Sequence, residues 1–355
     1  MIVPARLLSS NITILSVVFV VIVLQLVFMN NFGMGNAKGT SSSLGIQSFL
    51  PSSQGSFSIT LIIPTALDLL PYINYHVLAW PRKILIPVSL SLNDGSFFSS
   101  YVHDALFPSR VSFVSVVDDN NIYSINHIRN LALSKCDSTH VVFSLPTLIP
   151  SQHLYASLMS LPTSVLDDPA QAIIIPRFHM EYISLPCDTW YNCESKYSFF
   201  GSISKMQLKM CSRWGDCSAS RDVDPVTFPE WYSLYPGNAS TPLHCWDSEN
   251  TDPILFVKRS PSLPAFDERI IRDTELDVEW IMELHYSGFS FSVLSHGWFI
   301  DVKDYKDSLR KQARSSRLYG AVGVSPKLVR TIRQSIPRKY KGKRVLATCP
   351  KLKKK

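Results

Sequence analysis

The sequence predicts an α/β protein, a mostly parallel sheet flanked by helices and preceded by an N-terminal transmembrane helix. Three observations carry that prediction. Short, nearly continuous apolar runs recur from residue 58 onward, stretches with apolar residues three and four apart fall between them, and Ile12–Met29 holds eighteen residues without a formal charge. Runs of the first kind suit strands buried on both faces, and their alternation with helices points to parallel pairing covered on both sides. About eighteen apolar residues is the least that crosses a bilayer as a helix.

Taken in order, residues 1–11 form a short tail with Arg6, and 12–29 form the anchor. Arg6 and the amino terminus precede the anchor and only Lys38 follows closely, which favours a cytoplasmic tail and a luminal body. Residues 30–57 are rich in Gly, Ser and Asn without periodicity and read as a flexible stem. Ser58–Ile63 reads as the first strand, Ala66–Trp80 as a helix with Pro71 in its early part, and Lys83–Leu90 as a second strand. Pro87 marks a bulge or an edge in that strand, because proline donates nothing to a ladder. Val111–Val117 is a third strand, stopped by Asp118-Asp119-Asn120-Asn121. Ile125, Ile128, Leu131 and Ala132 then share one helical face, and Thr139–Phe143 is a buried strand closed by Pro146, the kind of strand end at which α/β proteins place ligand groups. Ala172–Ile175, Ile254–Val257 and Gly288–Leu294 read as further strands, with Val278–Tyr286 a helix between the last two. Residues 185–250 hold five of the seven cysteines and several tryptophans without clear periodicity, and read as an acceptor-side insertion.

Two blocks carry a family resemblance. The first is Asn126-x-x-Arg129-Asn130-x-Ala132 leading into the Val141 strand and on to Leu148-Ile149-Pro150-Ser151; the second is Pro264-Ala265-Phe266-Asp267-Glu268-Arg269. With Asp252-Pro253 and Gly288-Phe289-Ser290-Phe291-Ser292-Val293-Leu294, these blocks resemble glycosyltransferase family 49, the LARGE-type and β-1,4-glucuronyltransferase enzymes that act on dystroglycan-type glycans. The resemblance spans residues 58 to 304 and implies a GT-A fold over 58–307, a UDP-sugar donor such as the glucuronate or xylose sugar nucleotide, and a glycan acceptor. It places Asn126, Arg129 and Asn130 at the donor and makes Asp267 or Glu268 the base that takes the acceptor hydroxyl's proton.

The family's metal position is where this chain departs. Relatives carry Asp-x-Asp at the end of the apolar strand to hold Mn²⁺, which offsets charge on the leaving diphosphate. Here those two positions are Leu145 and Thr147. Leucine ligates nothing, and threonine is a poor ligand alone. The two histidine positions after the late strand hold Asp301 and Asp304, and His179 stands where an acid belongs. One reading is a transferase whose cation is held differently, with Asp301 or Asp304 contributing, or whose leaving group is stabilised by Lys or Arg alone. Another is an inactive relative that binds glycan or partners a working transferase. Asp267 and Arg269 also suit a plain ion pair fixing a turn, Arg129 a cap or pair at the sheet edge, and Trp231, Trp246 and Trp298 either sugar stacking or the core.

Tail, anchor, stem and domain in that order make a Golgi type II membrane protein the expected setting. Cys187 with Cys193 and Cys211 with Cys217 share a five-residue gap, so an oxidising lumen would form one or two bridges, with connectivity left open. Those gaps and the lack of partner histidines disfavour zinc. Asn238-Ala239-Ser240 is a glycosylation acceptor if luminal. The net charge of +7 is concentrated in residues 308–355, which hold sixteen Lys or Arg and no Asp or Glu and read as a basic tail or a patch for anionic ligands. No nucleic-acid motif accompanies that charge.

Overall fold

The computed structural model describes residues 57–117, 125–184, 187, 189–214, 217–219, 231–233, 239–245, 253–270, 278–304, 326–343 and 345–347. All lie in the larger of two compact units, residues 55–355. The expected tail, anchor and all but the last residue of the stem fall outside the described residues, as do Trp246 and the acceptor Asn238. Among the described residues no helix is long and apolar enough to cross a membrane.

Thirteen strands are described: β1 (Ile59–Ile62), β2 (Thr65–Ala66), β3 (Ile84–Leu90), β4 (Val111–Val117), β5 (His140–Phe143), β6 (Leu148–Pro150), β7 (Gln171–Ile175), β8 (Arg177–Ser184), β9 (Cys217–Ala219), β10 (Ser240–Pro242), β11 (Ile254–Lys258), β12 (Ser290–Leu294) and β13 (Phe299–Asp304). The α-helices are α1 (Ile73–Ala79), α2 (Gly95–Asp104), α3 (Ile125–Lys135), α4 (Leu154–Met159), α5 (Thr163–Asp167), α6 (Glu194–Gly201), α7 (Lys205–Trp214), α8 (Val278–Ser287) and α9 (Pro326–Lys339). The main sheet runs β10-β12-β7-β11-β5-β1-β3-β2, with β4 also on β3. It is mixed: β1, β2, β3, β4 and β5 are parallel neighbours, and β12 is parallel to β7. β11 runs against both β5 and β7, and β10 against β12. A second sheet, β6-β13-β8-β9, carries the segments that follow β5 and β7.

The apolar runs are continuous because the central strands are buried on both faces. Leu61, Ile86, Val142, Ile173 and Phe256 point to one side and pack with Ile73 and Val77 of α1 and Leu154 and Leu158 of α4. Their strand neighbours Ile62, Leu85, Val141, Ile174 and Leu255 point to the other and pack with Ala132 of α3 and Trp280, Ile281 and Leu284 of α8. Each fully buried Leu, Ile or Phe of this kind contributes roughly 1.5–3 kcal/mol from water exclusion.

Three local expectations are refined. The helix expected over 66–80 divides at Pro71 into a 3₁₀ segment, Leu67–Tyr72, and α1, since a proline inside a helix lacks the amide the ladder needs. Pro87 lies inside the sheet with β4 beside it, and is neither at an edge nor at a bulge. On the opposite side β3 pairs with β1 through Ile84 and Leu85 and with β2 through Val88 and Ser89, so Pro87 falls in the gap between two partners. Its missing N–H costs no ladder bond there. The cysteine-rich stretch contains α6 and α7, stapled by Cys187–Cys193 and Cys211–Cys217, whose Cα atoms are 5.6 and 5.2 Å apart. Part of the basic C-terminal segment also folds. α9 lays Ile332 and Ile336 against Ile270 and Met282, and Arg333 Nε donates to the buried Glu279 at 2.9 Å.

Candidate functional site

β5 and β1 run side by side, and the chain leaves β5 through Ser144-Leu145-Pro146-Thr147 before turning into β6. Backbone and side-chain bonds hold this turn from several directions. Ser144 N donates to Ile62 O at 2.9 Å, Leu148 N to Leu145 O at 3.0 Å, and Val302 N to Thr147 O at 3.2 Å. Ser144 Oγ donates to Leu148 O at 3.2 Å. From beneath, His76 Nε2 donates to Pro146 O at 3.0 Å. That imidazole is fully buried, and burial pulls its pKa from 6.5 down to about 4. Its Nδ1 has no hydrogen-bond partner, so a second proton there would lack an acceptor, and the ring stays neutral.

Leu145 is 5 % exposed and Thr147 half-buried. Leu145 lines a small cavity of ≈ 20 Å³ together with Arg129, Ser144, Phe266 and Trp280. The sequence-chosen Arg129 and Leu145 are thus brought together at the carboxyl end of β5. Arg129 is itself buried, its Nη1 donating to Asn126 Oδ1 at 3.4 Å and its guanidinium carbon lying 5.3 Å from the centre of the Phe266 ring. Phe266 stacks on Trp280 at 4.4 Å, and Trp280 Nε1 donates to Pro264 O at 2.8 Å. A space of this size holds about one water. Segments 118–124 and 271–277, adjoining α3 and the 264–270 loop, lie outside the described residues.

The other candidates meet on the next face of α3. Asn126 Nδ2 donates to Asp267 O at 2.9 Å. Asn130 makes three bonds: its Nδ2 to Phe266 O at 2.9 Å and to Glu268 Oε1 at 2.8 Å, and its Oδ1 from Phe266 N at 2.9 Å. Glu268 also accepts from His127 Nδ1 at 3.0 Å. Asp267 is clasped by Arg269, with Nε to Oδ1 at 2.9 Å and Nη2 to Oδ2 at 2.5 Å, and the Arg269 backbone N–H completes the clasp at 3.0 Å. The Arg269 bonds hold the Asp267 carboxyl below its usual range, and the Asn130 and His127 bonds do the same for Glu268. Both acids are therefore ionised and already accepting hydrogen bonds, which makes them weak bases in this arrangement. What the arrangement does directly is staple α3 to the 264–269 loop, and the turn-fixing pair of Asp267 with Arg269 is present. Asn130 and Glu268 also border an open groove of ≈ 810 Å³ that continues past Ser134, Asp137 and Arg259.

β13 brings Asp301 opposite Leu148 of β6 on one side and His179 of β8 on the other. His179 Nδ1 and Asp301 Oδ2 are 3.9 Å apart, each about one-third exposed. An acid and an imidazole thus face each other one strand away from the Leu145–Thr147 turn, a proximity that sequence order alone does not reveal. Asp304 closes β13 opposite Ser184. Among the described residues no three His, Cys, Asp or Glu side chains converge as a metal shell would require. Leu145 supplies no donor and the His179–Asp301 pair supplies two, so the described residues do not fit Mn²⁺. Trp231 and Trp298 are core residues, 5.8 Å apart, with Trp231 also against Phe178. His76 and Trp280 were not foreseen: a lone histidine and a lone tryptophan on apolar helices carry no sequence signal of what they face.

A central mixed sheet lies between helical layers, with Arg129 and Ser144 the polar groups lining the cavity at the end of β5. At low identity the chain is similar to LARGE-type glycosyltransferases. It is 24 % identical over 306 residues to the glycosyltransferase-like protein gnt14 of Dictyostelium discoideum, covering 81 % of this chain and 44 % of that protein. With the xylosyl- and glucuronyltransferase LARGE1 it shares 21 % over 288 residues for Danio rerio (79 % of this chain, 36 % of the relative) and 22 % over 270 for Homo sapiens (74 % and 34 %). The chain therefore spans less than half the length of these relatives. No protein-family model matches it. Solved structures with partial likeness include GalNAc-T7 with UDP, GalNAc and Mn²⁺ (TM-score 0.45, 9 % identity, 80 % of this chain and 55 % of that one) and S. aureus TarS with UDP-GlcNAc (0.39, 12 %, 79 % and 65 %).

Proposed function

We propose that this chain is a glycosyltransferase domain that takes a sugar from a UDP donor and passes it to a glycan acceptor, with its donor at the carboxyl end of β5. The observation that carries the reading is the similarity to gnt14 and LARGE1, which runs through 74–81 % of the chain in the comparisons above. LARGE1 is a xylosyl- and glucuronyltransferase, so UDP-xylose and UDP-glucuronate are the donors to try first. Arg129 is the cation at the carboxyl end of β5, where the cavity holds about one water and a donor would have to widen it, and Leu145 and Thr147 stand where relatives keep metal-binding acids. The setting we propose is the Golgi lumen, with 12–29 as anchor and 308–355 as a basic extension; two disulfides support an oxidising compartment.

The test is UDP release by the purified domain from each donor, with and without Mn²⁺, alongside UDP binding by calorimetry. Turnover supports the transferase, and its loss in Asp267→Asn at an unchanged melting temperature supports that acid as the base rather than as the partner of Arg269 in the turn. Leu145→Asp with Thr147→Asp is expected to gain Mn²⁺-dependent UDP binding, because it restores the missing oxygen ligands. Absence of UDP binding by both the parent and this double variant sinks the reading and leaves a glycan-binding or transferase-partner role.

A further inference from the structure

We propose that the outer face of α9 is a binding strip for a linear acidic polysaccharide, a chain bearing carboxylate or sulfate groups at intervals. The proposal stands apart from the transferase reading, since it needs neither a donor nor turnover.

The helix sorts its residues cleanly. At about 100° per residue, Leu328, Ile332, Arg333, Ile336 and Tyr340 fall on one side and Lys327, Arg330, Gln334 and Arg338 on the other. The first set faces α8: Ile332 and Ile336 are 3 % and 4 % exposed and pack with Met282 and Tyr286. Among the described residues the acids that pair with α9 are on that side. Arg333 pairs with Glu279, and Lys339 and the Tyr340 hydroxyl both meet Glu283. The second set is exposed, and Lys341 and Lys343 extend it past the helix end. The entire segment 308–355 contains no Asp or Glu to neutralise it locally. Lys327 and Arg338 are eleven residues apart on the helix, roughly 16 Å along its axis at about 1.5 Å per residue.

This pattern selects among anionic partners. A membrane-surface helix turns its apolar face towards lipid, and the apolar face of α9 is already consumed by α8. Single-stranded nucleic acid is held by aromatic side chains stacking on bases, and Tyr340, the aromatic residue of the described stretch 326–343, is turned inward onto Glu283. What remains is a row of point cations with no stacking or inserting groups, which suits a flexible chain of spaced anionic groups held by charge.

The experiment measures binding of a heparin decasaccharide to the full chain by calorimetry over a salt series, with dextran as the uncharged control. Binding is expected at low salt, weakening steeply as salt rises. Lys327→Gln, Arg330→Gln, Arg338→Gln and Lys341→Gln together should weaken it about ten-fold or more, at an unchanged melting temperature because all four side chains point away from α8. Arg310→Gln with Lys311→Gln removes charge elsewhere in the basic segment and should weaken it far less. Equal affinity in the quadruple variant overturns the proposal, as does an equal loss in the two sets. Equal or tighter binding to phosphatidylserine vesicles or to single-stranded RNA overturns the choice of polysaccharide.

Discussion

Mild acid should destabilise this domain through His76 and His140, two buried histidines. His76, beneath the β5 turn, and His140, on β5 itself, both have pKa values lowered from 6.5 to about 4, chiefly by burial. His140 Nε2 donates to Leu166 O at 2.9 Å while its ring stacks on Phe256 at 5.0 Å, so neither site offers a buried counter-charge to an imidazolium. Because the folded pKa lies below the unfolded one, the unfolded chain takes up protons first as pH falls. The stability is thus complete above about pH 6.5 and is lost progressively between there and about pH 4. At about pH 5 each histidine has cost roughly 2 kcal/mol, at about 1.36 kcal/mol per pH unit, and the pair roughly 4 kcal/mol. Against a total of about 5–15 kcal/mol that is a large share. Asp267 and Glu268 have lowered pKa values, so their contribution is lost only below the ordinary carboxylate range, which leaves the interval above about pH 5 to the histidines. Urea unfolding followed by tryptophan fluorescence at about pH 7.5 and about pH 5 should show the midpoint falling, and His76→Gln should roughly halve the difference. Equal midpoints at the two pH values, or a pH dependence untouched by His76→Gln with His140→Gln, would refute the reasoning.

Other perturbations follow from the same contacts. Asn130→Ala removes three hydrogen bonds and leaves the Phe266 N–H and C=O unmatched, so it should cost about 2–3 kcal/mol, read as a lowered melting temperature. Leu145→Ala should cost about 2–4 kcal/mol, because the residue is buried at the end of β5 and its loss enlarges a cavity that already exists. Glu279→Gln removes the charge that Arg333 meets on α8 and should make α9 more open to limited proteolysis, with a cost of about 1 kcal/mol because the Arg333 side chain is 37 % exposed and can turn to solvent. Reducing the two described disulfides should lower the melting temperature by an amount equal to about 2 kcal/mol or more per bridge.

The strands were the legible part of this chain. Burial on both faces makes β1, β5, β7 and β11 near-continuous apolar runs, and no other element of this size is written that way. α2 is marked only faintly: Phe98, Tyr101 and Val102 form a half-buried stripe, with Phe98 and Tyr101 against the core, but Phe97 beside it is 61 % exposed and blurs the pattern. The 185–250 stretch hid α6 and α7 because cross-links and packing around Trp231, rather than periodicity, order its helices. The candidate site was legible as a set of residues and not as an arrangement. Asn130 and Glu268 are 138 residues apart, and nothing local to either says that they bond to one another. The same holds for His179 and Asp301, each noted only as a departure from a motif, which the second sheet sets face to face.

The placement of β11 has a consequence for how the chain is made. This strand is the wedge that joins β5 to β7, yet it is synthesised about eighty residues after β7 and over a hundred after β5. Until the ribosome passes residue 258, two greasy strand flanks stand open in the nascent protein, and long-range pairing of this sort closes slowly. Messages truncated before that point should therefore yield clumping fragments rather than half-size folded ones, and chaperone demand should peak just before the wedge emerges.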